Sequence, residues 1–136
     1  MAINVVGIDH IVLRTTALEE MLVFYRDVLG CVVERELAPE FGLVQLRAGS
    51  ALIDLVVVDS ELGRLGGGAP TVSDNNLDHF CLQIEPLEES VLSEYLREHA
   101  IDAGEFEERY GAQGYGKSVY IKDPQGNVVE LRNRLD

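Results

Sequence analysis

Along this 136-residue chain the spacing of apolar residues changes period in a fixed order, and the order occurs twice. Alternation over residues 8–14 predicts a strand with Ile11 and Leu13 on one face and His10, Val12 and Arg14 on the other. A period of about 3.6 residues takes over at residues 18–29. There Met21, Leu22, Phe24, Tyr25, Val28 and Leu29 form one helical face, which Gly30 stops. Three further strands are expected over residues 32–37, 42–48 and 51–58, the last two joined by a tight turn at Gly49-Ser50. Residues 59–76 hold Gly63, Gly66, Gly67, Gly68 and Pro70 and read as a linker. The succession then restarts with a strand over 77–84, a helix over 87–99 and strands over 103–109, 117–122 and 127–132. Asp123-Pro124-Gln125-Gly126 is the turn before the last strand, because Pro fixes φ and Gly accepts a positive φ.

Short stretches recur in one register. Asp9-His10 returns as Asp78-His79, and Leu18-Glu19-Glu20 returns at the same distance as Leu87-Glu88-Glu89. Leu13 and Leu82 keep that spacing too. Matches in one register, each with the same switch from alternation to helical period, indicate duplication. The expected class is α+β, built from tandem βαβββ modules in one domain over residues 1–136. Module 1 covers residues 5–59, the linker 60–76 and module 2 residues 77–134.

Parity then sorts the polar residues. Phe80, Leu82 and Ile84 oppose His79, Cys81 and Gln83; Ile53, Leu55 and Val57 oppose Asp54; Val129 and Leu131 oppose Val128, Glu130 and Arg132. In each strand the regular apolar set can meet a helix, leaving His10, Asp54, His79 and Glu130 on the open face. A half-buried carboxylate is costly unless it is paired or bound to a metal. A lone strand histidine reads as structural, but two at equivalent positions with an in-phase Glu130 read as metal ligands. For Asp54 the competing reading is a hydrogen bond to Arg14, Arg47 or Arg132. Gln45, Arg47, Ser118, Tyr120 and Lys122 share the cavity-facing parity on neighbouring strands. Arg47 there either binds an anionic substrate group or neutralises a neighbouring acid, and Tyr120 either meets substrate or lines the interior. His99, near a helix end, is read as capping carbonyls rather than binding metal.

Composition narrows the chemistry without selecting it. Hydrophobic residues make up 46 % and charged residues 26 %, the balance of a globular chain. With 24 acidic and 11 basic residues the formal net charge is -13, which disfavours nucleic acid and anionic membrane surfaces as general partners. No apolar run reaches the roughly 18–20 residues of a bilayer span. The opening Met1-Ala2-Ile3-Asn4 lacks the basic start of a secretory leader, so the cytoplasm is the expected compartment. Cys31 and Cys81 form neither a CxxC pair nor a disulfide framework, and both are read as buried small hydrophobes.

Gly7-Ile-Asp-His-Ile-Val-Leu, Phe24-Tyr-Arg-Asp-Val-Leu-Gly30, Leu77-Asp-His-Phe-Cys-Leu and Asp123-Pro-Gln-Gly-Asn-Val-Val-Glu-Leu131 occur in that order. With the weaker Ala51-Leu-Ile-Asp-Leu55, this set resembles the vicinal oxygen chelate superfamily. That group includes glyoxalase I, fosfomycin-resistance proteins, methylmalonyl-CoA epimerase, extradiol dioxygenases and bleomycin-resistance proteins. The resemblance implies paired modules forming an open cupped β-sheet barrel with flanking helices around one divalent metal ion, and often a homodimer. It puts the ligand positions on His10, Asp54, His79 and Glu130. Most glyoxalase-like members carry Glu or Gln where this chain has Asp54, a shorter side chain suited to ligation through water or to acting as a base.

The implied chemistry is that of a metal-dependent glyoxalase-like lyase or isomerase. Its small substrate is chelated through vicinal oxygens, and Glu130 or Asp54 moves a proton. The ligand set suits Zn, Ni, Fe or Mn alike. An extradiol-type dioxygenase using His10, His79 and Glu130 is the alternative, and a non-enzymatic binder of the bleomycin-resistance type a third. Arg47, Gln45, Tyr120 and Ser118 are the expected substrate contacts. Gly111-Ala-Gln-Gly-Tyr-Gly-Lys-Ser118 fits a phosphate-loop pattern, but a strand rather than a helix follows it. It is read as a mobile glycine-rich loop over the pocket.

Overall fold

The computed structural model describes residues 3–136, so Met1 and Ala2, the first residues of the stretch read for a leader, lie outside the described residues. The fold is α+β, and the chain divides into two compact units, one ending at Thr71 and the other running from Val72. Among the described residues no helix is long and apolar enough to cross a membrane.

In the first unit β1 (His10–Thr15), β2 (Val33–Glu36), β3 (Leu43–Ala48) and β4 (Ala51–Val57) form one sheet in the order β1-β4-β3-β2. β1 runs parallel to β4, and the other pairs are antiparallel. Helix α1 (Leu18–Leu22) follows β1, as the periodicity predicts, but its continuation over Val23–Val28 is π-helical. Leu29 N–H donates to Phe24 O at 3.0 Å. Met21, Leu22, Phe24 and Tyr25 are all buried, and the rings of Phe24 and Tyr25 meet edge-on at 4.8 Å. The wider π turn carries both rings, at adjacent positions, into the core.

The expected linker is more ordered than its glycines suggest. Ser60 caps a short helix α2 (Glu61–Arg64), accepting from Gly63 N. Beyond it the chain wraps Arg14, whose Nη1 donates to Gly68 O at 2.9 Å and whose Nη2 donates to Gly67 O at 2.6 Å and Gly63 O at 3.1 Å. The glycines lie against β4 and the guanidinium: a Cβ on Gly63 would fall on the Val57 carbonyl oxygen, and one on Gly66 would fall on Arg14.

The second unit repeats the arrangement. β5 (His79–Ile84), β6 (Glu107–Gly111), β7 (Gly114–Lys122) and β8 (Val128–Asn133) form a sheet in the order β5-β8-β7-β6, with β5 parallel to β8. Neither sheet is closed. Helix α3 (Glu89–Glu98) buries Leu92 and Leu96, one turn apart on a single face. Asp123 shapes the final turn: its Oδ1 accepts from Gln125 N and Asn127 N, and Gly126 takes φ +94°.

Two expectations are corrected here. Residues 111–118 are not a loop, because Gly111 pairs with Gly114 and Tyr110 with Tyr115 in the β6–β7 hairpin. Gly114 carries the positive φ of the turn, +101°. The other two glycines admit a neighbour: a Cβ on Gly111 would fall on Arg132 Nη1, and one on Gly116 would lie 2.8 Å from Arg132 Nη2. Arg132 is only 4 % exposed, and its Nη2 donates to Gly114 O at 3.0 Å. The second correction concerns Cys81, which is exposed while Cys31 is buried. It shares a sheet face with His79 and Gln83, on a strand that is the edge of its sheet.

Candidate functional site

Each unit places one histidine and one carboxylate in the same register. His10 stands on edge strand β1, and Asp54, on interior strand β4, pairs with Val12 two residues further along. His79 stands on edge strand β5, and Glu130, on interior strand β8, pairs with Cys81, again two residues further along. Histidine and carboxylate are therefore diagonal neighbours on one sheet face in both units. The interior strands bury the carboxylates, leaving Asp54 4 % and Glu130 6 % exposed, whereas the edge strands leave the imidazoles partly open.

Side-chain length separates the two units. Glu130 Oε1 reaches His79 Nε2 at 3.2 Å. Asp54, one methylene shorter, makes no ion pair with His10 among the described residues, although its charge helps hold the His10 imidazole above its usual range. The first cause of that upward shift is the hydrogen bond to Asp9, which lies 2.6 Å from His10 Nδ1. Desolvation opposes it. In the second unit Asp78 Oδ2 lies 2.7 Å from His79 Nδ1.

Among the described residues Asp54 has none of the arginine partners that parity allowed. Arg14 is spent on the carbonyls of residues 63–68, Arg47 forks onto Glu34 at 2.8–3.1 Å, and Arg132 sits in the other unit's hairpin. Its partner is Gln45, directly opposite in the β3–β4 register, whose Nε2 donates to Asp54 Oδ2 at 3.1 Å. Arg35 in turn donates to Gln45 Oε1 at 2.9 Å. Arginine only donates, so it fixes which way the Gln45 amide faces. Asp54 Oδ1 is left buried without a hydrogen-bond partner among the described residues. Such an atom is costly and is therefore a candidate ligand or base atom.

The expected substrate contacts divide. Gln45 and Tyr120 lie directly opposite Asp54 and Glu130 in the sheet registers. The Tyr120 ring meets the His79 ring edge-on at 5.2 Å and carries the Arg109 guanidinium at 4.3 Å from its centroid. Ser118 is fully buried and accepts from Arg109 Nη1 at Oγ, 3.0 Å, and at its carbonyl, 2.7 Å. Arg47 takes the neutralising role, on Glu34. His99 ends α3 with Nδ1 2.8 Å from Tyr95 O, a helix-end contact. The Cys81 thiol is pushed up to about 11, by desolvation first and then by the Glu130 charge, although the residue as a whole is exposed. Among the described residues no group of three or more His, Cys, Asp or Glu side chains is gathered as a metal cluster. Arg35 and Arg109 carry no sequence signal of a role, whereas Asp9 and Asp78 are announced by the repeated dipeptide.

No curated protein matches this sequence. Among solved structures, a protein from the mobile metagenome of V. Pseudocholerae is similar, at 25 % identity and TM-score 0.80 over 100 % of both chains. An integron cassette protein from that of V. Cholerae has TM-score 0.80 at 23 % identity, over 99 % of this chain and 100 % of that one. A lactoylglutathione lyase from Agrobacterium tumefaciens has TM-score 0.68 at 23 % identity, over 96 % and 95 %. Residues 7–131 match the Glyoxalase/Bleomycin resistance protein/Dioxygenase superfamily, and the chain belongs to that superfamily.

Proposed function

We propose that this protein is a metal-dependent, glyoxalase-like lyase or isomerase acting on a small substrate with two adjacent oxygens. His10 and Asp54 in the first unit, and His79 and Glu130 in the second, are the proposed ligands of a divalent metal. The carrying observation is the 3.2 Å separation of His79 Nε2 and Glu130 Oε1. Nitrogen and oxygen ligands at roughly 2.0–2.2 Å from one tetrahedral ion stand about 3.3 Å apart. The unpartnered Oδ1 of Asp54 adds a buried anionic oxygen with the right chemistry.

Bound there, the ion would supply a Lewis acid for vicinal oxygens. The protein's own part is proton movement and positioning. Glu130 and Asp54 are the proposed proton carriers, with Asp54 Oδ1 as the free basic atom and Gln45 holding its other oxygen. Tyr120, beside His79, and Gln45 are the proposed substrate-facing groups; Arg47 and Ser118 join them only by giving up Glu34 and Arg109. The extradiol reading has less support, because His99 is committed to the end of α3. A homodimer is also proposed, supported by the exposed apolar residues Ile3, Val5, Val6 and Ile8.

The test is metal analysis of the purified protein, of His79→Ala and of Glu130→Ala, followed by a hemithioacetal assay. Stoichiometric metal in wild type, lost in both variants, is expected. Metal retained in both would sink the assignment, and absence of turnover with every thiol tried would remove the glyoxalase-like reaction.

A further inference from the structure

We infer that Asp9 and Asp78 are positioning residues that fix the tautomer of His10 and His79, so that each imidazole presents Nε2 as its lone-pair nitrogen. Adjacent residues in a strand point to opposite faces and do not meet. Here they do meet, in both units. Asp9 and Asp78 are the residues immediately before β1 and β5, outside the pleated alternation, and their carboxylates turn back onto the next residue. The distances are nearly equal, 2.6 Å from His10 Nδ1 to Asp9 Oδ1 and 2.7 Å from His79 Nδ1 to Asp78 Oδ2.

An ionised carboxylate can only accept, so the proton of the neutral ring belongs on Nδ1. That is the minor tautomer of free histidine. In the second unit Nε2 also faces a carboxylate, Glu130 Oε1 at 3.2 Å, and a neutral ring can donate to only one of the two; the shorter contact, 2.7 Å to Asp78, favours the proton on Nδ1. A cation between Nε2 and Glu130 would take the lone pair and the anionic oxygen together. The carboxylates are 91 % and 96 % exposed, so little of either is buried. Fixing the ring is the role left to a dipeptide that recurs in both halves. The metal-binding consequence rests on the proposed function; the tautomer does not.

The test is nitrogen-15 NMR of the histidine side chains at a pH where the rings are neutral, in wild type, Asp9→Ala, Asp78→Ala and the two Asn variants. His99 is a built-in reference, since its Nδ1 faces the Tyr95 carbonyl. His10 and His79 are expected in the Nδ1–H form in wild type. Asp9→Ala should release only His10, Asp78→Ala only His79, and Asn, whose amide oxygen still accepts, should restore much of the bias. Wild-type rings in the Nε2–H form, or rings unmoved by the Ala substitutions, would overturn the inference. Titration with Zn²⁺ alone should show affinity about 10–100-fold weaker in Asp78→Ala, with an unchanged melting temperature. A wild type that takes up no metal removes the proposed function and leaves the NMR outcome to decide the tautomer.

Discussion

Glu130 Oε1 touches His79 Nε2 at 3.2 Å, whereas Asp54, in the same register one unit earlier, makes no ion pair with His10 among the described residues. The difference is one methylene on otherwise matched frames. Asp54→Glu is therefore expected to bring the first unit's carboxylate to its histidine and to strengthen divalent-metal binding, by about tenfold or 1.4 kcal/mol. Asp54→Asn removes the charge and should weaken it by at least as much. Metal competition with a chromophoric chelator measures both, and an Asn variant binding like wild type would remove Asp54 from the ligand set.

His10 should titrate above the usual 6.5, chiefly through its hydrogen bond to Asp9 and secondarily through the charge of Asp54. A folded-state value above the unfolded one contributes stability that is present below 6.5 and lost as the pH rises through the raised value. Proton NMR titration of wild type should place the His10 midpoint above that of a model peptide. In Asp9→Ala the midpoint is expected to fall; an unchanged midpoint would show that the contact with Asp9 is not populated in solution.

Cys81 illustrates a group whose exposure misleads. Its thiol is raised to about 11 by desolvation and by the Glu130 charge, partly offset by Arg132. Against an ordinary thiol at 9.0, the thiolate fraction at neutral pH falls by roughly 100-fold. Alkylation of the native protein should be correspondingly slow, and Glu130→Gln should accelerate it. Fast labelling of Cys81 in wild type contradicts this account.

What the sequence shows of the site follows from what alternation encodes. His10, His79, Asp54 and Glu130 are legible because each opposes a regular apolar set within its own strand. Arg35 and Arg109 are not, because their roles depend on cross-strand pairing and reach. The β2–β3 register, for instance, shifts between Val33 and Arg35. The π-helical turn at Val23–Val28 is hidden for a related reason: apolar spacing marks one buried face, but it does not specify the hydrogen bond from Leu29 N–H to Phe24 O that closes the wider turn. Cys81 looks like core because it lies between apolar neighbours, yet its strand is an edge, and edge position is a property of topology.

Arg109 links three parts of the second unit's face. It lies over Tyr120 and donates twice to the buried Ser118, while Tyr120 meets His79. Arg109→Ala should destabilise by about 1–3 kcal/mol, since it strips a charge-assisted donor from Ser118 and the cation from the ring. Arg109→Lys keeps a cation but loses the flat fork, and should recover only part of this. Urea denaturation gives the values, and equal stability of all three proteins would mean that the contacts do not persist.

The glycines of residues 111–118 answer to Arg132 rather than to a phosphate. Gly111 and Gly116 leave the space its guanidinium fills, and the Nη2 bond to Gly114 O anchors it. Gly111→Ala puts a methyl group on Nη1, forcing a buried cation to move and to give up its carbonyl acceptor. The expected loss is about 1–3 kcal/mol. The double variant Gly111→Ala with Arg132→Met separates the cause from hairpin propensity. With the guanidinium gone, the alanine should cost well under half of what it costs alone, because the clash has no second party. Additive losses in that cycle would place the penalty in the hairpin backbone itself and detach the glycine pattern from Arg132.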